Sequence, residues 1–460
     1  MTISDTLQQI KDSSARAVIE NVIKLAKDNA DFHALLNLTE ERALKRADEV
    51  DAGKITGKLA GVPFVVKDNF LAFGAPTTAA SKMLENFDAP LQATAVEKLE
   101  AEGAICIGKA NLDAFAHGGS TENSAFGPTK NAIDPTRVAG GSSGGSAAIT
   151  ALNVVPFALG SDTGGSIRQP ASFNGVVGIK PTYGTISRYG VVAMASSTDV
   201  IGSFTTNVAD AELVMEIMSG RDVRDMTTLP DFFKIEAQAS PKQKIGLIKD
   251  FMTDAVDIDV RNRINEYADK LRADGHIVEE VNLPMAEYSL AIYYIIVPAE
   301  LSSNLARYDG IRYGYRADGI KTLAELYGQT RDQGFVTENK RRIMIGSYVL
   351  SSGFFDAYYL QAQKARTLLI NEFDELFKTY DVLIGPVAPT PAFKLGENTA
   401  DPIKMYMCDI MTVPASLVGL PAISVPAGVS ESGLPIGVQL MGPMRSDAKL
   451  LALARSMETK

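Results

Sequence analysis

The alternation of apolar and polar positions changes character several times along the chain, and each change marks an element. Residues 4–50 carry apolar positions at helical spacing (Leu7, Ile10, then Val18, Ile19, Val22, Ile23, Leu25 and Ala26) among many charges, which predicts two or three amphipathic helices. From residue 61 the pattern switches to G-V-P-F-V-V-K-D-N-F, a short apolar run bounded by Pro63 that reads as a buried strand with Lys67 at its end. A helix over 94–102 leading into a strand over 103–108 begins a helix-then-strand rhythm. It continues through strands at 154–159 and 176–180, a helix at 208–218, a strand at 244–249, a helix at 256–274 and a strand at 276–281. Residues 285–380 are mainly helical and rich in Tyr and Arg. Strands return at 381–387, 421–425 and 435–442 before a closing helix from residue 447. This rhythm predicts an α/β fold, and without an internal repeat or low-complexity linker it predicts one large domain.

Composition narrows the class. A chain of 460 residues that is 46% hydrophobic and 22% charged buries a large core. No apolar run approaches the roughly 18 residues needed to span a bilayer, and the polar N-terminus is no signal segment, so a cytoplasmic location is expected. Cys106 and Cys408 are far apart and lack a CxxC partner, which argues against a disulfide framework or a zinc site; no metal is expected. A formal net charge of −10 argues against a broad surface that grips nucleic acid unaided, so a polyanion would be held by a partner.

The candidate chemistry lies in two glycine–serine clusters, G-G-S-S-G-G-S at 140–146 and G-S-D-T-G-G-S at 160–166. Glycines let the backbone approach a ligand and turn N–H groups toward an anion. Neither cluster matches G-x-x-x-x-G-K-[ST] or G-x-G-x-x-G, which argues against a nucleotide loop. Of the three histidines, His33, His117 and His276, only His117 lies near glycines, and no G-x-S-x-G elbow accompanies it, so a histidine base is disfavoured. A lysine in a desolvated site has a lowered pKa and can accept a proton. Lys67 has the sequence setting for that role, although a surface lysine at a strand end, or a core lysine paired with Asp68, fits the spacing equally. Ser166 is the candidate nucleophile, with the amides of Thr163, Gly164 and Gly165 as oxyanion donors; the alternative is a glycine-rich turn with incidental serines.

Lys67, the first cluster and G-S-D-T-G-G-S-I-R-Q-P-A at 160–171 together resemble the amidase signature family. The resemblance implies a Ser–cisSer–Lys triad in which Ser166 forms the acyl-enzyme, Ser142 bridges and Lys67 is the base. It implies an amidase signature fold, a single large α/β domain whose mixed, twisted central sheet is covered by helices on both faces. Within 1–460 it implies an N-terminal helical cap (1–55), a catalytic core segment (56–235) and a helical insertion lining a glutamine pocket (285–380). Further segments, among them S-T-E-N-S-A-F-G-P-T-K-N at 120–131, S-S-N-L-A-R-Y-D-G-I-R-Y-G at 302–314 and G-P-V-A-P-T-P-A-F at 385–393, are similar to the branch of the family that supplies ammonia from glutamine within tRNA-dependent amidotransferases. That branch implies Arg342 on the glutamine carboxylate, Asp409 on its ammonium and Tyr293 beside them. It also implies partner subunits B and C in a heterotrimer, a mischarged tRNA held mainly by the partner, and ATP with Mg²⁺ used there, no cofactor being bound by this chain. A free-standing hydrolase of small amides is the alternative. One segment departs from the family's D-E-F-A-M-G pattern: in Asp113-Ala-Phe-Ala-His117-Gly the acidic residue after the aspartate and the methionine are replaced, by Ala114 and His117.

Overall fold

The computed structural model describes residues 1–236 and 242–458. Its strands are β1 (Leu35–Leu38), β2 (Pro63–Lys67), β3 (Ile105–Ala110), β4 (Phe157–Asp162), β5 (Val177–Lys180), β6 (Val200–Thr205), β7 (Lys244–Ile248), β8 (Ile277–Val281), β9 (Val382–Pro386), β10 (Ala422–Val429) and β11 (Pro435–Met441). Among the described residues they form one sheet in the order β1-β3-β2-β4-β6-β5-β10-β11-β9-β7-β8. The neighbours β3, β2 and β4 run parallel, as do β9, β7 and β8, and the strands between these blocks pair antiparallel. The sheet is therefore mixed, as expected.

Every residue of β2 is buried, and a strand covered on both faces has no need to alternate. Val65 packs with Val18, Ile19, Val22 and Ile107 on one face. Phe64 and Val66 pack on the other with Leu159, Val214, Met215 and Leu451. The covering residues come from helices Ala15–Asp28 on the first face and Val208–Met218 and Asp447–Met457 on the second. The N-terminal segment departs from its all-helical expectation: between helices Ala15–Asp28 and Glu40–Asp51 it inserts β1, paired antiparallel with β3 (Leu35 opposite Ala110). Four residues, Leu-Leu-Asn-Leu, are too few to display a period of two. Likewise β6, Val-Ile-Gly-Ser-Phe-Thr, carries Gly and Ser inside its apolar run, and the sequence pattern gave no strand there.

The parallel register fixes the site. Lys67 lies opposite Ala110, and Val66 opposite Leu159, so the carboxyl ends of β2, β3 and β4 bring Lys67, Lys109, Ser161 and Asp162 to one edge, where open α/β sheets place their ligands. Two fully buried lysines result, and they differ in kind. Lys109 Nζ lies 3.1 Å from Asp68 Oδ1 and donates to Phe70 O (2.6 Å) and Thr77 Oγ1 (2.8 Å). Asp68 is thereby committed to Lys109, which removes a Lys67–Asp68 pair from consideration. Removing one member of a buried ion pair strands the other charge, at about 3–5 kcal/mol. Lys109→Met is expected to lose that much in urea unfolding, and Lys109→Met combined with Asp68→Leu distinctly less.

Candidate active site

Lys67 is fully buried and, among the described residues, has no carboxylate in ion-pair contact. Its Nζ lies 2.8 Å from Ser142 Oγ, 3.0 Å from Ser161 Oγ and 3.4 Å from Ser161 O. A neutral amine offers two hydrogens and one lone pair, so all three partners are accounted for when it donates to both Ser161 oxygens and accepts from Ser142. Burial lowers its pKa from 10.5 to about 7, against the pull of the more distant Asp113, Asp162 and Asp199. Each of those carboxylates is engaged elsewhere. Asp113 accepts from the amides of Thr121 and Asn123, Asp199 from Thr163 Oγ1 and the amides of Met194 and Ala195, and Asp162 from Arg168.

Ser142 follows a cis peptide bond from Gly141 and precedes helix Gly144–Ala151. The helix can sit this close to the sheet because its first turn is glycine: a Cβ at Gly145 would come within 2.4 Å of Ala34 O. Ser143 N–H donates to Ser166 O at 3.2 Å, so the two serine clusters run side by side. The turn that carries Ser166 is fixed by Asp162, the last residue of β4. Its carboxylate accepts from the amides of Gly165 (2.8 Å) and Ile167 (3.2 Å) and from Arg168 Nη2 (2.9 Å) and Nε (3.1 Å). Burial is the largest single influence on Asp162 and opposes its ionisation, but Arg168, Lys180 and the Ile167 amide together hold the carboxyl below its ordinary pKa. This geometry corrects one expectation. Gly165, grouped with Thr163 and Gly164 as an oxyanion donor, spends its N–H on Asp162, whereas the amides of Thr163, Gly164 and Ser166 have no acceptor among the described residues.

The residues expected to hold substrate approach this turn from the C-terminal half of the chain. Tyr293, on helix Ala286–Asn304, abuts Gly164 so closely that a Cβ there would lie 2.7 Å from its hydroxyl. Asp409 lies against Gly119, where a Cβ would stand 3.6 Å from Oδ1. Arg342, on helix Thr337–Val349, lies beside the rings of Tyr294 and Tyr406, which stack on each other, and donates through Nε to Glu338 Oε1 at 2.7 Å. Neither Nη group of Arg342 has an acceptor, and no group donates to the Asp409 carboxylate, among the described residues. Burial pushes the Asp409 carboxyl up to about 7, with Arg342 opposing the shift.

Sequence reasoning missed Ser161, Asp162, Arg168 and Asp113. The signal for Asp162 and Arg168 was present, since both charges interrupt an otherwise small and apolar stretch; nothing local marked Asp113. His117 is fully buried, and Asn339 Nδ2 approaches its Nδ1 at 2.5 Å while donating to Ala114 O at 2.9 Å. That fixed amide makes Nδ1 the acceptor. Burial, with Arg342 and Lys67 nearby, keeps the ring neutral by lowering its pKa well below the ordinary value. Among the described residues no group of three or more His, Cys, Asp or Glu could hold a metal, and no helix is long and apolar enough to cross a membrane.

A family model described as Amidase matches residues 17–451. The A subunit of glutamyl-tRNA(Gln) amidotransferase from Thermosynechococcus vestitus is 50% identical over 457 residues, covering 97% of this chain and 95% of its own. The protein of the same name from Lactiplantibacillus plantarum is 52% identical over 418 residues, covering 89% and 85%. Among solved structures, the corresponding glutamyl-tRNA(Gln) amidotransferase subunit of Thermotoga maritima has a TM-score of 0.83 at 40% identity, covering 100% of this chain and 94% of its own.

The depressed pKa of Lys67 has a consequence for stability. Between about pH 7 and 10 the unfolded chain holds a proton on this amine that the folded chain does not, so stability rises with pH there. The stability of the unsubstituted chain relative to Lys67→Met is expected to increase by about 1.4 kcal/mol per pH unit between pH 7.5 and 9.5 in urea titrations. A flat difference would place a charged amine in the core.

Proposed function

This chain belongs to the amidase family, and on that premise we propose that it is the glutamine-hydrolysing subunit of a tRNA-dependent amidotransferase. The observation that carries the glutamine reading is the pair of unsatisfied charges beside the nucleophile turn: the Arg342 Nη groups and the Asp409 carboxylate. Arg342 is buried with only its Nε paired, to Glu338, and Asp409 is half-buried with no donor among the described residues. Hydrogen-bonding capacity withdrawn from water without a partner is costly, and a free α-amino acid supplies a carboxylate for the one and an ammonium for the other. A neutral aliphatic or aryl amide supplies neither.

In this reading neutral Lys67 takes the proton of Ser142, Ser142 takes that of Ser166, and Ser166 Oγ attacks the side-chain carbonyl carbon of glutamine. The oxyanion develops against the free amides of Thr163, Gly164 and Ser166. The protons return along the relay to the leaving nitrogen, the C–N bond breaks, and ammonia departs from a glutamyl ester. Water, deprotonated by the same relay, then cleaves the ester to glutamate. Tyr293 bounds the pocket over Gly164. The relatives' names mark them as one component of a larger assembly. For this chain we infer partner subunits B and C, a partner that uses ATP and Mg²⁺ to activate the mischarged aminoacyl end and holds most of the tRNA, and a cytoplasmic setting. The net charge of −10 supports leaving the tRNA to the partner.

Purified with its partners, the protein is expected to prefer glutamine to aliphatic and aryl amides. Ser166→Ala should lower kcat by about 10⁴-fold or more, and Arg342→Met or Asp409→Asn should raise KM about a hundredfold, as for loss of one partner of a buried charge pair. A preference for aryl amides, or full activity in Ser166→Ala, would overturn the assignment.

The pH dependence separates the two titrating groups. Catalysis needs Lys67 neutral and Asp409 ionised, and both conditions fail as pH falls through about 7. Log kcat/KM is therefore expected to fall with a slope approaching two below pH 7, and with a slope of one in Asp409→Asn.

A further inference from the structure

In the proposed reaction every proton passes through Ser142, yet the Ser142 hydroxyl has a single hydrogen-bond partner among the described residues, Lys67 Nζ. Its aim is therefore set by the backbone that carries it, the arc of residues 140–144. Each residue of that arc is held. Gly141 N–H donates to Gln169 Oε1 at 2.9 Å, Asp113 N–H donates to Ser142 O at 3.2 Å, and Ser143 N–H donates to Ser166 O at 3.2 Å. One group closes both ends. Thr121 Oγ1 donates to Gly140 O at 2.7 Å and accepts from Gly144 N–H at 3.0 Å, so a single hydroxyl clamps the chain on either side of Ser142.

Thr121 is fully buried and stands at a φ of +59°, in the left-handed region that a β-branched residue rarely adopts. Glycine would take this φ without strain but would bring no hydroxyl. Such a conformation persists where the surroundings over-determine it, and it concentrates at functional sites. Here Asp113 supplies the restraint: its Oδ2 accepts from Thr121 N–H at 2.9 Å and its Oδ1 from Asn123 N–H at 3.0 Å, while its own N–H holds Ser142 O. Thr129 N–H, donating to Thr121 O at 3.2 Å, fixes the other side. The fit admits no side chain at the far end of the clamp, since a Cβ at Gly144 would overlap Thr121 Oγ1. We propose that Thr121 is a positioning residue of the relay, its hydroxyl fixing the arc that aims Ser142 Oγ at Lys67 Nζ. The proposal rests on the Lys67–Ser142–Ser166 reading. A plain helix cap would also occupy Gly144 N–H; a positioning residue differs in acting on the rate, and only through Ser142.

Steady-state kinetics of the protein with its partners, on glutamine or on whichever amide it turns over fastest, separate the two roles. Thr121→Val keeps the β-branched shape and removes only the hydroxyl. It is expected to lower kcat about a hundredfold with KM nearly unchanged, the cost of a small displacement of a reacting group. Thr121→Ser, which restores the hydroxyl, should recover most of that loss. Ser142→Ala is expected to lower kcat by about 10²- to 10⁴-fold. In that background Thr121→Val should add nothing, because the effects of residues that act as a unit are not additive; a hydroxyl that merely supports the fold would lower the rate by the same factor in both backgrounds. Should Thr121→Val fail to fold, Thr121→Ala, which is less crowded at this φ, makes the same comparison. A loss expressed in KM, no recovery in Thr121→Ser, or equal factors in the two backgrounds would each overturn the proposal. An impaired Ser142→Ala beside an undiminished Thr121→Val would overturn it alone, whereas full activity in Ser142→Ala would overturn the relay reading and this proposal with it.

Discussion

An amine buried without a counter-ion is the constraint on which the rest of this site depends. Lys67 ends a strand that is covered on both faces, and water cannot reach its Nζ. Burial alone would not keep it neutral if a carboxylate were free to pair with it, because an ion pair restores the charged form. The surrounding structure prevents this by occupying each nearby carboxylate first: Asp162 with Arg168 and the turn amides, Asp113 with the amides of Thr121 and Asn123, Asp199 with Thr163 and two amides, and Asp68 with Lys109. The same bonds that neutralise Asp162 and Asp199 also shape the Thr163–Ser166 turn. Control of the lysine's charge and placement of the nucleophile therefore follow from a single set of contacts.

The substrate side shows the opposite arrangement. Arg342 is partly held, by Glu338 and two stacked tyrosine rings, but among the described residues its Nη groups have no acceptor and Asp409 has no donor. Among the described residues the carboxylates nearest Lys67 are all engaged, whereas the Asp409 carboxylate and the Arg342 Nη groups find no partner, and in the proposed reaction these meet the two charges of a zwitterion. In the proposed reaction specificity and reactivity come from different parts of the chain: the relay groups from the end of β2, the loop before helix Gly144–Ala151 and the turn after β4 in the first half, the glutamine contacts from helices and a loop in the second.

How much of this was legible in the sequence follows from how local each signal is. The strand that carries Lys67, the two glycine–serine clusters and the helical character of 285–380 are written in contiguous residues, and they could be read. The strands at Leu35–Leu38 and Val200–Thr205 could not, one because four residues define no period, the other because Gly202 and Ser203 interrupt it. Spacing left open whether Lys67 pairs with Asp68; the answer lay in Lys109, on the neighbouring strand, which the parallel register brings to the same edge. Gly165 was misassigned as an oxyanion donor for a similar reason, because which amide of a turn is free depends on where the Asp162 carboxylate folds back. Arg342 and Asp409 were reached only through family resemblance, since an arginine on a helix and an aspartate in a loop carry no local mark of pairing with a ligand.

The most direct measurement of the central claim is the protonation state of Lys67 itself. In nuclear magnetic resonance of the protein with lysine labelled at Cε, the Lys67 signal, assigned by its absence in Lys67→Met, should titrate near pH 7. Titration near pH 10, roughly the value of a solvated lysine, would contradict the account, because the relay would then begin from a charged amine with no lone pair to accept the proton of Ser142.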